Sequence, residues 1–244
     1  MINGKQIFII MPAYRAAKKI KSVFGRIDSA ALKAIDHFII VVDGNVDDTL
    51  QKAQELQAEY QNVSIIFHES NLGYGRAQKE GYSLALKMGA DICALLHSDG
   101  QYAPELLMEL LKPLADDQAD LVIGSRMLEK GRALKGGMPL YKYYSNRILS
   151  GIENAVYGLK MSEYHSGYML YNRRLLEKLP YKKLSDKFHF DGEMLMLAAK
   201  KGFRIKEISI PAHYGDEEKT LNPVAYGFEV LSIILKYLLG KYKT

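Results

Sequence analysis

The 244-residue chain is 48% hydrophobic and 25% charged, which suits one ordinary globular domain with a full core; no low-complexity tract, internal repeat or Pro/Ser-rich linker divides it. A formal net charge of +5 and a pI of about 9.0 suit an anionic small molecule, a phosphate or an acidic membrane surface. No dense basic run with interleaved aromatics is present, which argues against nucleic acid.

Cys93 is the only cysteine, so no intrachain disulfide can form and a reducing compartment is expected. Within "ICALL" it reads as a buried, inert thiol. The N-terminus lacks a basic segment followed by an apolar stretch and a small-residue cleavage site. The longest apolar-rich stretch, "VAYGFEVLSIILKYLLG", is interrupted by Glu229 and Lys236 and is too short and too charged for a membrane span.

Strand and helix patterns alternate through the first half. "IFIIM" (7–11) predicts a first strand ending at Pro12, and Ile20, Val23, Phe24 and Ile27 follow at helical spacing. "HFIIVV" (37–42) predicts the second strand, ending at Asp43-Gly44. The helix "DDTLQKAQELQAEY" comes next, with acids in its first turn. "VSIIF" (63–67), the helix "GRAQKEGYSLALKMG", "ICALL" (92–96), the helix "PELLMELLKPL" and "DLVIG" (120–124) continue the alternation.

The second half is less regular. "RMLEKGRALKGGMP" (126–139) reads as a mobile basic loop able to close over phosphates. "LYKYYSNRILSGIENAVYG" predicts a helix whose tyrosines are expected in the core. "GYMLY" and "FRIKEISI" predict strands around the helix "DGEMLMLAAKKG", and an apolar helix follows Pro223.

Short strands apolar on both faces, alternating with helices, specify an α/β fold with a parallel sheet covered on both sides. Such sheets bind ligands at the carboxyl ends of their strands. Polar or small residues follow each strand here: "PAYR", "DGNVDDT", "HESNLGYG" and "HSDGQ". Gly44 and Gly89 are ordinary turn formers. Asp43 and Asp99, at the ends of separate strands, are the functional candidates.

In order, "IFIIMPAY", "IIVVDGNVDDT", "NLGYGRAQKEG", "HSDGQYAPE", "LVIGSR", "SEYHSGYMLYNRRLL" and "FHFDGEML" resemble the motifs of a family 2 glycosyltransferase, nearest the dolichyl-phosphate mannose synthase-like branch. The resemblance runs from about Ile7 to Asn222. It implies a GT-A nucleotide-diphospho-sugar transferase fold, with a mostly parallel central sheet flanked by helices on both faces. A single domain over 1–222 is expected, its nucleotide-binding half about 1–125 and its acceptor half about 126–222, followed by a C-terminal amphipathic helix at 223–244. Two positions depart from the family. Tyr14-Arg15-Ala16 replaces Tyr-Asn-Glu, removing a carboxylate near the base or ribose. Met169 stands where many members carry an arginine.

The resemblance implies an inverting transfer from a UDP- or GDP-linked sugar to a lipid-phosphate or glycan acceptor. The bond between the anomeric carbon and the diphosphate breaks, and a divalent cation, Mg²⁺ or Mn²⁺, stabilises the charge on the leaving group. Asp99 is the expected metal ligand, with Gln101 supplying a carbonyl oxygen. His97 could ligate, favouring Mn²⁺, could bond a phosphate oxygen, or could be a structural histidine. Asp43 is implied to bond the base or ribose. Pro12, Ala13 and Tyr14 would form the wall beside the base, Gly73 and Gly75 would let the backbone approach the nucleotide, and Ser98 would line the donor site. Arg126 would grip the diphosphate bidentately.

A sugar hydroxyl acceptor would need a base, for which Asp191 and Glu193 are the candidates, with Glu163 and Asp216 behind them. A lipid phosphate is already ionised and needs only cations; His165, Arg173 and Arg174 lie in the segment expected to supply them. His213, Asp216 and Glu217 read as a lid, an acceptor element or a plain solvated loop. The tail helix, with Lys236, Lys241 and Lys243 toward its end, could rest on an anionic membrane or pack on the core or on a second copy in a homodimer. The expected location is cytoplasmic, with peripheral contact on the inner face of the membrane. Two alternatives compete: a catalytically silent nucleotide-binding or partner-subunit module on the same fold, and a nucleotidyltransferase, which would want a Gly-rich first loop that "PAYRAA" lacks.

Overall fold

The computed structural model describes residues 1–212, 214 and 223–242; the readings made for His213, Asp216, Glu217 and Lys243 fall outside them. In chain order the elements are β1 (Ile7–Ala13), α1 (Ile20–Gly25), α2 (Ser29–Ala34), β2 (His37–Asp43), α3 (Thr49–Glu59), β3 (Val63–His68), α4 (Tyr74–Lys87), β4 (Ile92–Leu95), α5 (Leu107–Ala115) and β5 (Leu121–Ser125). They continue with α6 (Arg132–Lys135), α7 (Leu140–Tyr157), β6 (Met169–Asn172), α8 (Arg173–Lys178), α9 (Phe190–Lys200), β7 (Ile205–Ser209) and α10 (Pro223–Leu238).

The strands form one sheet in the order β3-β2-β1-β4-β6-β5-β7. All neighbours are parallel except β6, which runs antiparallel to both β4 and β5. Side-chain alternation sends β1 to both layers. Ile7, Ile9, Met11 and Ala13 join the core that includes Val23, Phe24, Leu56 and Leu110, while Phe8 and Ile10 join the core under Ala77, Tyr82 and Met194. Burial on both faces explains why these strands read as unbroken apolar runs.

Strand β1 does not stop at Pro12 but pairs on to Ala13 beside Val42. Even-numbered residues of β1 turn their backbone groups toward β4, where pairing ends at Leu95. Pro12 therefore forfeits no ladder bond, and its carbonyl accepts from Ser98 Oγ at 2.7 Å. The acids expected in the first turn of α3 precede it instead, with Asp47 accepting from the Thr49 backbone at 3.1 Å.

The reversal of β6 corrects one reading. Its C-terminal end lies at the start of β4, with Asn172 paired to Ile92, so Arg173 and Arg174 sit at the opposite edge from the ligand-binding strand ends. Arg173 donates to the carbonyls of Ala90 and Leu86, and Arg174 to Asp120 at 2.9 Å. Neither lies at the edge where an acceptor phosphate was expected. The basic segment 126–139 is also more structured than a loop. It holds α6, and Met127, Ala133 and Met138 form a small core with Ala212.

Candidate active site at the strand ends

The carboxyl ends of β1, β2, β4 and β5 converge with the segment leading into β6, as the strand-end rule requires. Asp43, 3% exposed, ends β2. Its carboxylate accepts from the backbone of Leu72 at 2.9 Å and Gly73 at 3.0 Å, and meets His68 Nδ1 at 2.8 Å. His68 Nε2 meets Glu80 at 2.8 Å. Burial works to lower the His68 pKa, but the two carboxylates outweigh it and hold the imidazole above its ordinary range. Asp43 thus ties down the 71–73 turn, a role that the residue type alone did not reveal. Tyr14 stands half exposed at the end of β1 with its ring beside Gly44, available as a wall for a flat ligand.

Gly73 and Gly75 let two stretches of backbone pack closely. A Cβ on Gly73 would overlap the Asp186 carbonyl oxygen, and one on Gly75 would overlap that of Ser185. The space on the Cβ side is filled by protein backbone, and Gly75 N donates to Asp186 at 2.8 Å. Gly75→Ala should therefore cost about 1–3 kcal/mol as the 184–190 segment is pushed away, read as a lower urea midpoint at unchanged slope.

At the end of β4, Asp99 Oδ1 accepts from Gln101 N at 3.0 Å, which fixes the turn and leaves Oδ2 without a partner among the described residues. Ser98 spends its hydroxyl proton on Pro12, bracing the turn against β1. His97 Nε2 lies 2.8 Å from Tyr74 Oη and 3.2 Å from the Gly167 carbonyl. Tyr74 Oη donates to Asp191 Oδ2 at 2.8 Å, and Gln78 donates to Asp191 Oδ1 at 2.9 Å.

Proton accounting on this chain assigns the tautomer of His97. Above its pKa of about 7, Asp191 is ionised and can only accept, so the single Tyr74 proton goes to it. Tyr74 must then accept from His97, whose Nε2 carries the proton. Burial lowers the His97 pKa against the opposing pull of Asp99, so the ring stays neutral. Nδ1 is left with a lone pair: it can ligate a metal but cannot donate to a phosphate oxygen. A Cβ on Gly167 would press on His97 Nε2 and Tyr74 Oη at 2.8 Å, so only glycine fits there.

The readings for the acceptor side change most. Arg126 is largely buried at its side chain. Its guanidinium donates to Glu163, to the His165 carbonyl at 2.8 Å and to Tyr214 Oη at 3.0 Å. Glu163 is 0% exposed and also accepts from Arg126 N and Asn146 Nδ2, each at 2.8 Å. Burial would raise the Glu163 pKa, but the Arg126 charge and these donors hold it below the ordinary range. The pair clamps the 163–165 segment onto β5. The His165 side chain is 8% exposed, its Nδ1 3.2 Å from Tyr226 Oη and its Nε2 3.2 Å from Glu153.

Asp191 and Glu193 open α9, and both are buried. Glu193 accepts from Ser185 N at 2.8 Å and Tyr242 Oη at 2.6 Å. Asp191 sits behind Tyr74; burial, partly offset by Gln78 and Tyr74, pushes its pKa up to about 7. Sequence reasoning missed Tyr74, His68 and Gln78, since none differs locally from an ordinary helix or strand residue. Cys93 is buried as expected, and burial pushes its thiol up to about 12.

Residues 8–180 match the family described as Glycosyl transferase family 2, and the chain belongs to that family: it is a glycosyltransferase. It is 30% identical to the UDP-N-acetylglucosamine–dolichyl-phosphate N-acetylglucosaminyltransferase of Methanococcus voltae, across 97% of this chain and 98% of that protein. It is 27% identical to the polyprenol monophosphomannose synthase of Mycolicibacterium smegmatis, across 84% of this chain and 77% of that one. Glucosyl-3-phosphoglycerate synthase from Mycobacterium tuberculosis, solved with UDP, superposes with a TM-score of 0.67 at 19% identity, covering 96% of this chain and 80% of that chain, and so shares the GT-A fold.

Proposed function

We propose that this glycosyltransferase moves a sugar from a nucleoside-diphosphate sugar to a phosphate carried on a membrane lipid. One observation carries the acceptor class. Glu163, Asp191 and Glu193, the described acids expected on the acceptor side, are all buried and committed to internal hydrogen bonds. No described acid in that set is placed to deprotonate a sugar hydroxyl, whereas a phosphate arrives ionised. The names of the relatives, which act on dolichyl phosphate or polyprenol, support the same reading.

In the proposed step an acceptor phosphate oxygen attacks the anomeric carbon as the bond from that carbon to the donor diphosphate breaks. The nucleoside diphosphate leaves with the bonding electrons, the anomeric centre inverts, and no proton is transferred. Asp99 Oδ2, His97 Nδ1 and the Gln101 side-chain carbonyl are a hard, mixed oxygen and nitrogen set that fits Mg²⁺ or Mn²⁺. Among the described residues no three His, Cys, Asp or Glu side chains gather as a ready-made metal site, which suits an ion shared with diphosphate oxygens. Such an ion would supply Lewis-acid stabilisation of the departing diphosphate.

Detergent-solubilised polyprenyl phosphate, free polyprenol and a neutral oligosaccharide, offered with UDP-GlcNAc, UDP-glucose or GDP-mannose, test the reading. Transfer to the phosphate alone is expected, with kcat/KM rising through about pH 6 as the phosphate takes its second charge. Transfer to a hydroxyl acceptor in preference to the phosphate would overturn it.

A further inference from the structure

Helices α7 and α10 are neighbours, with the rings of Tyr157 and Tyr237 5.0 Å apart. Each buries one face: Asn146, Ser150 and Glu153 on α7, and Val230, Ile233 and Ile234 on α10. The opposite faces are apolar and exposed. On α7, Leu140, Tyr144, Ile148 and Ile152 recur every fourth residue, which places them in one stripe. Ile148 is 64% exposed, and the tyrosines Tyr141 and Tyr144, expected in the core, stand in solvent at 53% and 59%. On α10, Phe228, Leu231, Leu235 and Leu238 form a second stripe, with Phe228 70% exposed. Two adjoining apolar stripes exceed the scattered exposure of an ordinary surface.

Among the described residues, the fully exposed charges on these two helices are positive. Arg147 and Lys236 are exposed on the two helices. A cleft of about 400 Å³ beside α7 is lined by Lys130 and Arg147 with Ser150, Asn154 and Ser162, and no carboxylate lines it. The two described acids of the helices are engaged elsewhere: Glu153 is 3% exposed, and Glu229 meets His189 Nδ1 at 3.1 Å.

We propose that the joint outer face of α7 and α10 docks on an anionic lipid bilayer. The stripes enter the interfacial layer, and Lys130, Arg147 and Lys236 meet the headgroups. Among the described residues no helix is long and apolar enough to cross a membrane, so the contact is with the surface. A second copy of the chain fits less well. A two-fold interface would set Arg147 and Lys236 against themselves, and Glu229, the one partly exposed carboxylate among the described residues of the two helices, is already engaged by His189. The inner faces of the same helices hold the acceptor side, through Asn146 on Glu163 and Tyr226 on His165. Docking would therefore bring the 163–167 segment beside the headgroup plane. The inference deepens the lipid-phosphate reading, on which its purpose rests.

Flotation of the full chain with phosphatidylcholine vesicles, with and without phosphatidylglycerol, tests it. Neither vesicle contains polyprenyl phosphate, so docking and acceptor choice succeed or fail separately. The chain should float with the anionic vesicles. Ile148→Ser with Leu235→Ser should lower its partitioning roughly tenfold or more, while calorimetry shows UDP binding unchanged. Arg147→Glu should lower partitioning to the anionic vesicles and leave that to pure phosphatidylcholine as it was. Equal partitioning of wild type and double variant, or none by either, would overturn the proposal. So would a dimer in sedimentation velocity that the double substitution splits, which would make a second copy the occupant.

Discussion

Asp191→Asn should weaken Mn²⁺ binding by about 10–100-fold, although Asp191 lies behind Tyr74 and touches no proposed ligand of the ion. The effect follows from hydrogen-bond direction. At pH 8 the wild-type carboxylate accepts from Tyr74, Tyr74 accepts from His97, and Nδ1 keeps its lone pair. The amide oxygen of the variant can still accept from Gln78, which turns its NH₂ toward Tyr74 Oη. Tyr74 would then accept from the amide and donate to His97 Nε2, moving the ring proton to Nδ1 and abolishing the ligand. Titration calorimetry with Mn²⁺ and UDP reads the affinity, and ¹⁵N chemical shifts of the imidazole read the tautomer. Unchanged metal affinity with a moved proton would remove His97 from the metal site.

The same variant carries its own folding control. Burial pushes the Asp191 pKa up to about 7, against about 3.9 in an unfolded chain. Between those values the folded protein retains a proton that the unfolded chain has released, so wild-type stability falls as pH rises, by on the order of 4 kcal/mol across the window. Asp191→Asn does not ionise. Its melting temperature should gain on that of wild type between pH 4 and 7 and hold the difference above.

Glu163→Gln should lower the melting temperature by about 10 °C, since removing one member of a buried ion pair costs about 3–5 kcal/mol. The variant leaves the Arg126 guanidinium, Arg126 N and Asn146 Nδ2 short of a charged acceptor in a place water does not reach. Arg126→Met combined with Glu163→Leu should recover most of the loss, because no charge is then left buried. Below the transition the single variant should bind UDP as wild type does. Full stability with lost donor affinity would instead restore Arg126 as a diphosphate ligand.

These cases show where the sequence was legible. The five strands of the first half stand within a residue or two of their apolar runs, because burial on both faces leaves a strand few polar positions. Motif order located the ends of β2 and β4 correctly. The direction of β6 has no local signature: "GYMLY" would read the same either way, and with the direction went the placement of Arg173 and Arg174. The partners of Arg126, Asp191 and Glu193 were hidden for another reason. A charged side chain in a motif does not announce its partner, and Glu163 lies 37 residues from Arg126 while Tyr74 lies 117 from Asp191. Tyr141 and Tyr144 failed because helical spacing marks a face without saying what covers it.

The position of β6 also orders how the chain can be assembled. Strands β3, β2, β1 and β4 are all synthesised by Leu95, but β4 presents a bare edge until Met169–Asn172 leave the ribosome and slot between β4 and β5. Until then β5 has no strand pairing with the first half, and the open edge is a template for pairing with another nascent chain. Gly167, two residues ahead of that strand, comes to rest against His97 in the same event. A truncated product ending before Gly167 would hold most of the nucleotide half with a sticky flank and a His97 braced by Tyr74 but not by Gly167.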